Sequence, residues 1–88
     1  MLDTSGDKAF EQRLRTFIEA QDGVRRIDLL RTRQFGNRIY VDLEIAVKAD
    51  ISLRDAHRIA ERVHSAVEKE FPKVKHVMIH VNPEDEQD

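Results

Sequence analysis

The chain reads as an α+β domain of two layers in the order αββαβ, a three-stranded mixed sheet with two helices on one face. Three observations predict it. Arg38–Val47, RIYVDLEIAV, sets Ile39, Val41, Leu43, Ile45 and Val47 against Arg38, Tyr40, Asp42, Glu44 and Ala46, the period-two pattern of a strand with one apolar face. Two other stretches place apolar residues at helical spacing instead. Gly36-Asn37, between two strand-like runs, is a hairpin signal.

The 88 residues leave room for one core only. Residues 1–6 read as a loose leader, 7–83 as the domain and 84–88 as an acidic, solvated tail. Between 7 and 21, Phe10, Leu14, Phe17 and Ile18 form one helical stripe. Ser5 or Asp7 caps its start, and Gly23 supplies a left-handed turn beyond its end.

Residues 24–35 form the first strand, with Ile27 and Leu29 on one side. For Leu29 to share the buried face with Leu43 and Ile45, the hairpin loop must be odd, most simply Gly36-Asn37-Arg38. Asp28 then points to the face of Asp42. Residues 48–51 connect to a second helix, Leu53–Glu70. Ser52 and Asp55 make a capping-box-like start, and Pro72 makes the stop. Its apolar stripe is Leu53, Ala56, Ile59, Ala60, Val63, Ala66, Val67 and Phe71. Residues 74–82 alternate again, Val77, Ile79 and Val81 against His76, Met78 and His80, and Pro83 ends this third strand.

A right-handed crossover through the second helix makes the second and third strands parallel. The sheet face away from the helices is then bare. It is predicted to hold Asp28, Leu30, Tyr40, Asp42, Met78 and His80. A half-apolar open face on a small domain calls for a partner, and symmetry makes a second copy the expected one.

Composition removes whole classes of function. Without cysteine there are no disulfides, thiolate metal sites or thiol catalysis. No apolar run approaches the ~18 residues of a membrane helix, so no direct membrane insertion is expected. The 15 Lys and Arg against 17 Asp and Glu give no bulk drive toward nucleic acid, and only Tyr40 is an aromatic on the open face by parity. Ser5, Ser52 and Ser65 have no neighbouring His–acid pair, and three glycines build no phosphate loop, so no enzyme is expected.

Two constellations remain. Asp42, with Asp28 or Glu44, shares the open face with His76 and His80. Carboxylate and neutral imidazole are the ligands divalent ions take where thiolate is absent. Strands ~4.8 Å apart let such side chains converge. At the end of the parallel pair, Asn82 and Glu84 lie near the start of the second helix, where His57 falls beside its apolar stripe, so a His57–Glu84 pair is a second candidate. The competing reading of both groups is solvated surface His and acid.

GV at 23–24, LRTRQFG at 30–36, IYVDLEI at 39–45, DAHRIAERV at 55–63, FP at 71–72 and VMIHVNP at 77–83 together resemble the C-terminal cytosolic domain of the cation diffusion facilitator (cation efflux) family. The resemblance implies a metallochaperone-like fold, ferredoxin-like without its first strand. It implies a homodimer that binds zinc or a related divalent ion at its interface and so regulates an attached transporter membrane domain. Its metal-ligand positions fall on Asp28, Asp42, His57, His80 and Asn82, with Glu84 pairing with the helix histidine in some members. The sequence carries Asp at 28 and 42, where zinc-exporting members often carry His, and Asn at 82, where they often carry Asp. Oxygen ligands leave iron or manganese open beside zinc.

The expected metal residues are therefore Asp42, His80, His57, Asp28 and Glu84, in a cytoplasmic domain tethered to a membrane through a missing transmembrane part. The alternatives are a stand-alone dimerisation module without metal dependence, or a soluble metal carrier.

Overall fold

In the computed structural model, which describes residues 8–85, the order is α1 (Lys8–Glu19), β1 (Arg26–Phe35), β2 (Arg38–Val47), α2 (Leu53–Glu70) and β3 (Val74–Pro83). The leader 1–6, the Ser5 or Asp7 cap and residues 86–88 of the tail lie outside the described residues. The sheet order is β1-β2-β3, with β1 antiparallel and β3 parallel to the central β2.

The strand with the cleanest alternation is the one buried deepest. Val41, Leu43, Ile45 and Val47 are buried on its helix side, where Leu14 and Ile18 of α1 and Val63 and Val67 of α2 meet them. Four residues apart, each helical pair presents one face to the sheet. Phe10 and Phe17 lie edge-on to Phe71 with ring centroids 5.5 and 5.4 Å away, which closes the core at the C-terminal end of α2. Ser52 caps α2: its Oγ accepts from the Asp55 amide at 3.0 Å. Leu53, counted from its spacing in the α2 stripe, is instead 87% exposed at the first position of the helix.

The hairpin corrects the odd-loop register. Phe35 pairs with Arg38, so the turn is the two residues Gly36-Asn37, and the apolar pattern is reconciled by a β-bulge. The register shifts between Ile27 and Leu29, leaving Asp28 as the extra residue. Ile27 then faces Ile45 and Leu30 faces Leu43, while Leu29 faces Glu44. Leu30 is therefore a core residue and Leu29 belongs to the open face, the reverse of the expectation from strict alternation. A second shift, between Ile39 and Tyr40, makes Lys75 the extra residue of β3.

Candidate metal centre on the open sheet face

The register lays out the open face in rows. Leu29, Glu44 and His80 form one row, Arg31, Asp42 and Met78 the next, and Arg33, Tyr40 and His76 the third. Phe35 follows Arg33 on the same parity, edge-on to Tyr40 at 5.3 Å, and Tyr40 lies 6.1 Å from His76. An odd loop would have hidden this second aromatic. The face is unevenly covered: Met78 and Phe35 are 57% and 58% exposed.

The acidic residues come together at the end of the sheet away from the hairpin. The bulge aims Asp28 toward β3, where Oδ2 accepts from Asn82 Nδ2 at 2.9 Å and Oδ1 accepts from Arg26 Nε at 2.6 Å. The Asn82 hydrogen bond first, then that of Arg26, holds the Asp28 carboxyl below its ordinary range. Asn82 Nδ2 also lies 3.4 Å from Glu44 Oε1, so one neutral amide bridges two carboxylates. Glu44 is beside His80 in register. Asp42 stands one row nearer the hairpin, where its Oδ2 accepts from Arg33 Nη2 at 2.8 Å.

His57 and Glu84 are each engaged elsewhere. His57 Nε2 is 3.7 Å from Glu61 Oε2 across one helical turn. Glu84, read from sequence as the start of the tail, is held to the sheet: its amide donates to the Val47 carbonyl, its own carbonyl accepts from Arg26 and its carboxylate from Arg25.

Asp28, Glu44, His80 and Asn82 thus lie at one end of the open face, with Asp42 adjacent, and His57 is on the neighbouring helix. Among the described residues no three His, Asp or Glu side chains converge tightly enough to hold a metal ion. The donor set, carboxylate oxygen with imidazole nitrogen, still suits a divalent cation. Register sets Glu44 and His80 side by side, and Asp42, one row away, is held by Arg33. Arg33 and Glu44 are the participants that sequence reasoning underweighted. The place of Arg33 depends on the two-residue turn, which sets it diagonally across from Asp42.

The chain matches the model of the family described as cation efflux protein, cytoplasmic domain, over residues 7–84. It is 29% identical to the manganese efflux system protein MneP of Bacillus subtilis over 94% of its own length and 28% of that protein's. It is 31% identical to the cation-efflux pump FieF of Klebsiella pneumoniae over 94% of its own length and 27% of that one's. The chain thus spans little more than a quarter of the length of these two relatives.

Among solved structures, the MamM CTD superimposes with a TM-score of 0.82 at 28% identity, covering 86% of this chain and 96% of that one. Variants of that domain in nickel, manganese and cadmium forms superimpose equally well, with TM-scores of 0.84, 0.82 and 0.83. Substitutions in the MamM series fall on an aspartate and, fifteen positions on, a histidine. Others fall on a second histidine and a glutamate four positions after it. From its sequence over nearly the whole domain and from its fold, this chain belongs to the cation efflux family, as the cytoplasmic domain.

Proposed function

We propose that the chain is the dimerising, metal-responsive domain of a divalent-cation transporter. Two copies pair through the open sheet face, and a divalent ion bound at the seam draws them together and biases the attached membrane part. Asp42 and His80 supply seam ligands with Asp28 nearby, and His57 with Glu84 forms a peripheral site. One observation carries this reading. Asp42 and His57 are fifteen residues apart and His80 and Glu84 four apart, the same residue types at the same two spacings as positions substituted in the MamM CTD series, in which the aspartate, second-histidine and glutamate variants are nickel, cadmium and manganese forms. The relatives point to manganese, since one is a manganese efflux protein and one MamM CTD variant is a manganese form, so manganese stands beside zinc as the candidate ion. A divalent ion competes with protons for carboxylate and imidazole, so affinity falls as the pH drops.

Calorimetry with Mn2+ and with Zn2+ at neutral pH tests it. Asp42→Ala together with His80→Ala abolishes saturable binding if the seam site exists. Unchanged binding removes it.

A second reading, a dimerisation module that works without metal, is favoured by the partners Asp42 and Asp28 already have in Arg33, Arg26 and Asn82. Melting separates the two. A ligand that binds only the folded state at 100 times its dissociation constant adds ~2.7 kcal/mol, so a clear rise in melting temperature with either ion supports the metal reading and no rise selects the module.

A further inference from the structure

We propose that the hairpin end of the domain docks on an anionic phospholipid surface, the leaflet beside which a transporter's cytoplasmic domain hangs. That orientation rests on the functional reading above; the surface chemistry does not. The sheet is polarised along its length. The end opposite the hairpin gathers Asp28, Glu44 and Glu84, with Arg26 and Arg25 paired to the first and the last. The hairpin end gathers Arg13, Arg33, Arg38, Lys73 and Lys75 from both layers of the fold.

Three of these cations, Arg13, Arg33 and Lys73, line one cleft of about 440 Å³ floored by Phe10, Ile39 and Phe71. Arg38 flanks the turn, and Lys75 is the bulged residue of β3. Among the described residues, Arg38, Lys73 and Lys75 form no ion pair; Arg33 pairs with Asp42, and Arg13 lies over the Phe10 ring at 5.6 Å. The carboxylates beside them are Glu70, in the cleft wall, and Asp42, already neutralised. Phe35, 58% exposed at the turn, supplies the apolar tip that an interfacial site adds to its charge.

The placement also suits the connectivity. In a C-terminal domain such as the MamM CTD the rest of the protein enters through the first helix. Here Phe10 and Arg13 of α1 share their cleft with Thr32, Arg33 and Gln34 of the hairpin, so the basic end is the end where the chain would arrive. A near-neutral total charge conceals this, because the far-end arginines Arg25 and Arg26 are paired with Glu84 and Asp28 while Arg38, Lys73 and Lys75 at the hairpin end form no ion pair among the described residues.

Flotation with vesicles tests the proposal, using the full chain in EDTA so that the result is independent of any metal site. The expected result is binding to vesicles containing about one-third phosphatidylserine, none to pure phosphatidylcholine, and loss on raising the salt. Each basic residue near such a surface is worth about one kcal/mol, close to fivefold, so Arg38→Glu, Lys73→Glu and Lys75→Glu together reduce binding by a hundredfold or more. The same charge change at the far end, Lys48→Glu, Arg54→Glu and Arg58→Glu, leaves it within about threefold. Ten residues of β2 span about 33 Å, several Debye lengths. No binding to the anionic vesicles, equal loss in both triple variants, or binding of a single-stranded oligonucleotide without vesicle binding overturns the proposal. A folded melt of each variant keeps the comparison valid.

Discussion

The Asn82 side-chain amide donates to Asp28 Oδ2 at 2.9 Å, tying the last residues of β3 to the bulge of β1 across the full width of β2. The same nitrogen lies 3.4 Å from Glu44 Oε1. A neutral donor between two carboxylates offsets their repulsion, which an aspartate at this position would increase. With Arg26 on its other oxygen, Asp28 is the best-partnered acid on the open face.

That arrangement fixes the sign of one pH effect. The Asn82 and Arg26 hydrogen bonds favour the ionised Asp28 in the folded state, so its pKa there is below that of the unfolded chain. The stabilisation is fully present above the unfolded pKa of ~3.9 and is lost as the pH falls through the lower folded value. Urea unfolding of the wild type and Asp28→Asn should therefore show a gap at about pH 6 that narrows steadily below about pH 4. A gap of constant size would show that the two hydrogen bonds do not discriminate between the protonation states.

The bulge makes a sharper prediction about neighbouring leucines. Leu30, 9% exposed, faces Leu43 in the core, whereas Leu29 faces Glu44 on the open side. Leu30→Ala should cost about 2–3 kcal/mol, from lost burial plus the cavity left behind, and Leu29→Ala less than about 1 kcal/mol. Chemical denaturation measures both. A larger loss at Leu29 would restore the odd-loop register and put Leu30 back on the open face.

Those two residues show where sequence reasoning stops. The bounds of β2 and α2, the parallel crossover, the Ser52 cap and the bare sheet face were all legible, because each is written in local periodicity or in a single capping or breaking residue. A bulge is not. It inserts one residue without disturbing composition, and its only trace in the sequence is that Ile27 and Leu30 are three apart where a regular strand needs two or four. Strict alternation therefore kept Leu29 inside and lengthened the turn. Asp28 still reached the open face, through the bulge rather than the loop. The candidate site followed the same rule. The residue types were readable, but the pairing of Arg33 with Asp42 and the Asn82 bridge depend on diagonal and cross-strand geometry that only the register supplies.

Gly23 and Gly36 both have positive φ, 91° and 62°, yet substituting them should have different consequences. A Cβ on Gly23 would stand 2.7 Å from Ile59 Cδ1, while one on Gly36 meets nothing within 4 Å. Gly36→Ala should therefore cost about 1–2 kcal/mol, the left-handed penalty alone. Gly23→Ala adds a clash inside the α1–β1 turn against α2 and should cost about 2–4 kcal/mol. Adding Ile59→Ala to each tests the assignment. The coupling energy of the double cycle should be favourable with Gly23→Ala and near zero with Gly36→Ala.

The Arg33–Asp42 ion pair is the last point at which the geometry commits the functional reading. Arg33 Nη2 holds Asp42 Oδ2 at 2.8 Å, with the side chains 58% and 26% exposed. A cation that takes Asp42 as a ligand must displace this guanidinium. An exposed pair of this kind is worth about 0.2–1 kcal/mol. Removing it should therefore tighten divalent binding by up to about fivefold. Arg33→Gln is expected to raise Mn2+ or Zn2+ affinity in calorimetry, and Arg33→Lys to leave it near the wild-type value, since lysine still competes as a point charge. In the Asp42→Ala background the effect of Arg33→Gln should vanish, because nothing is left to release. An Arg33→Gln gain that persists there would mean that the arginine acts by general repulsion of the cation and that Asp42 is not a ligand.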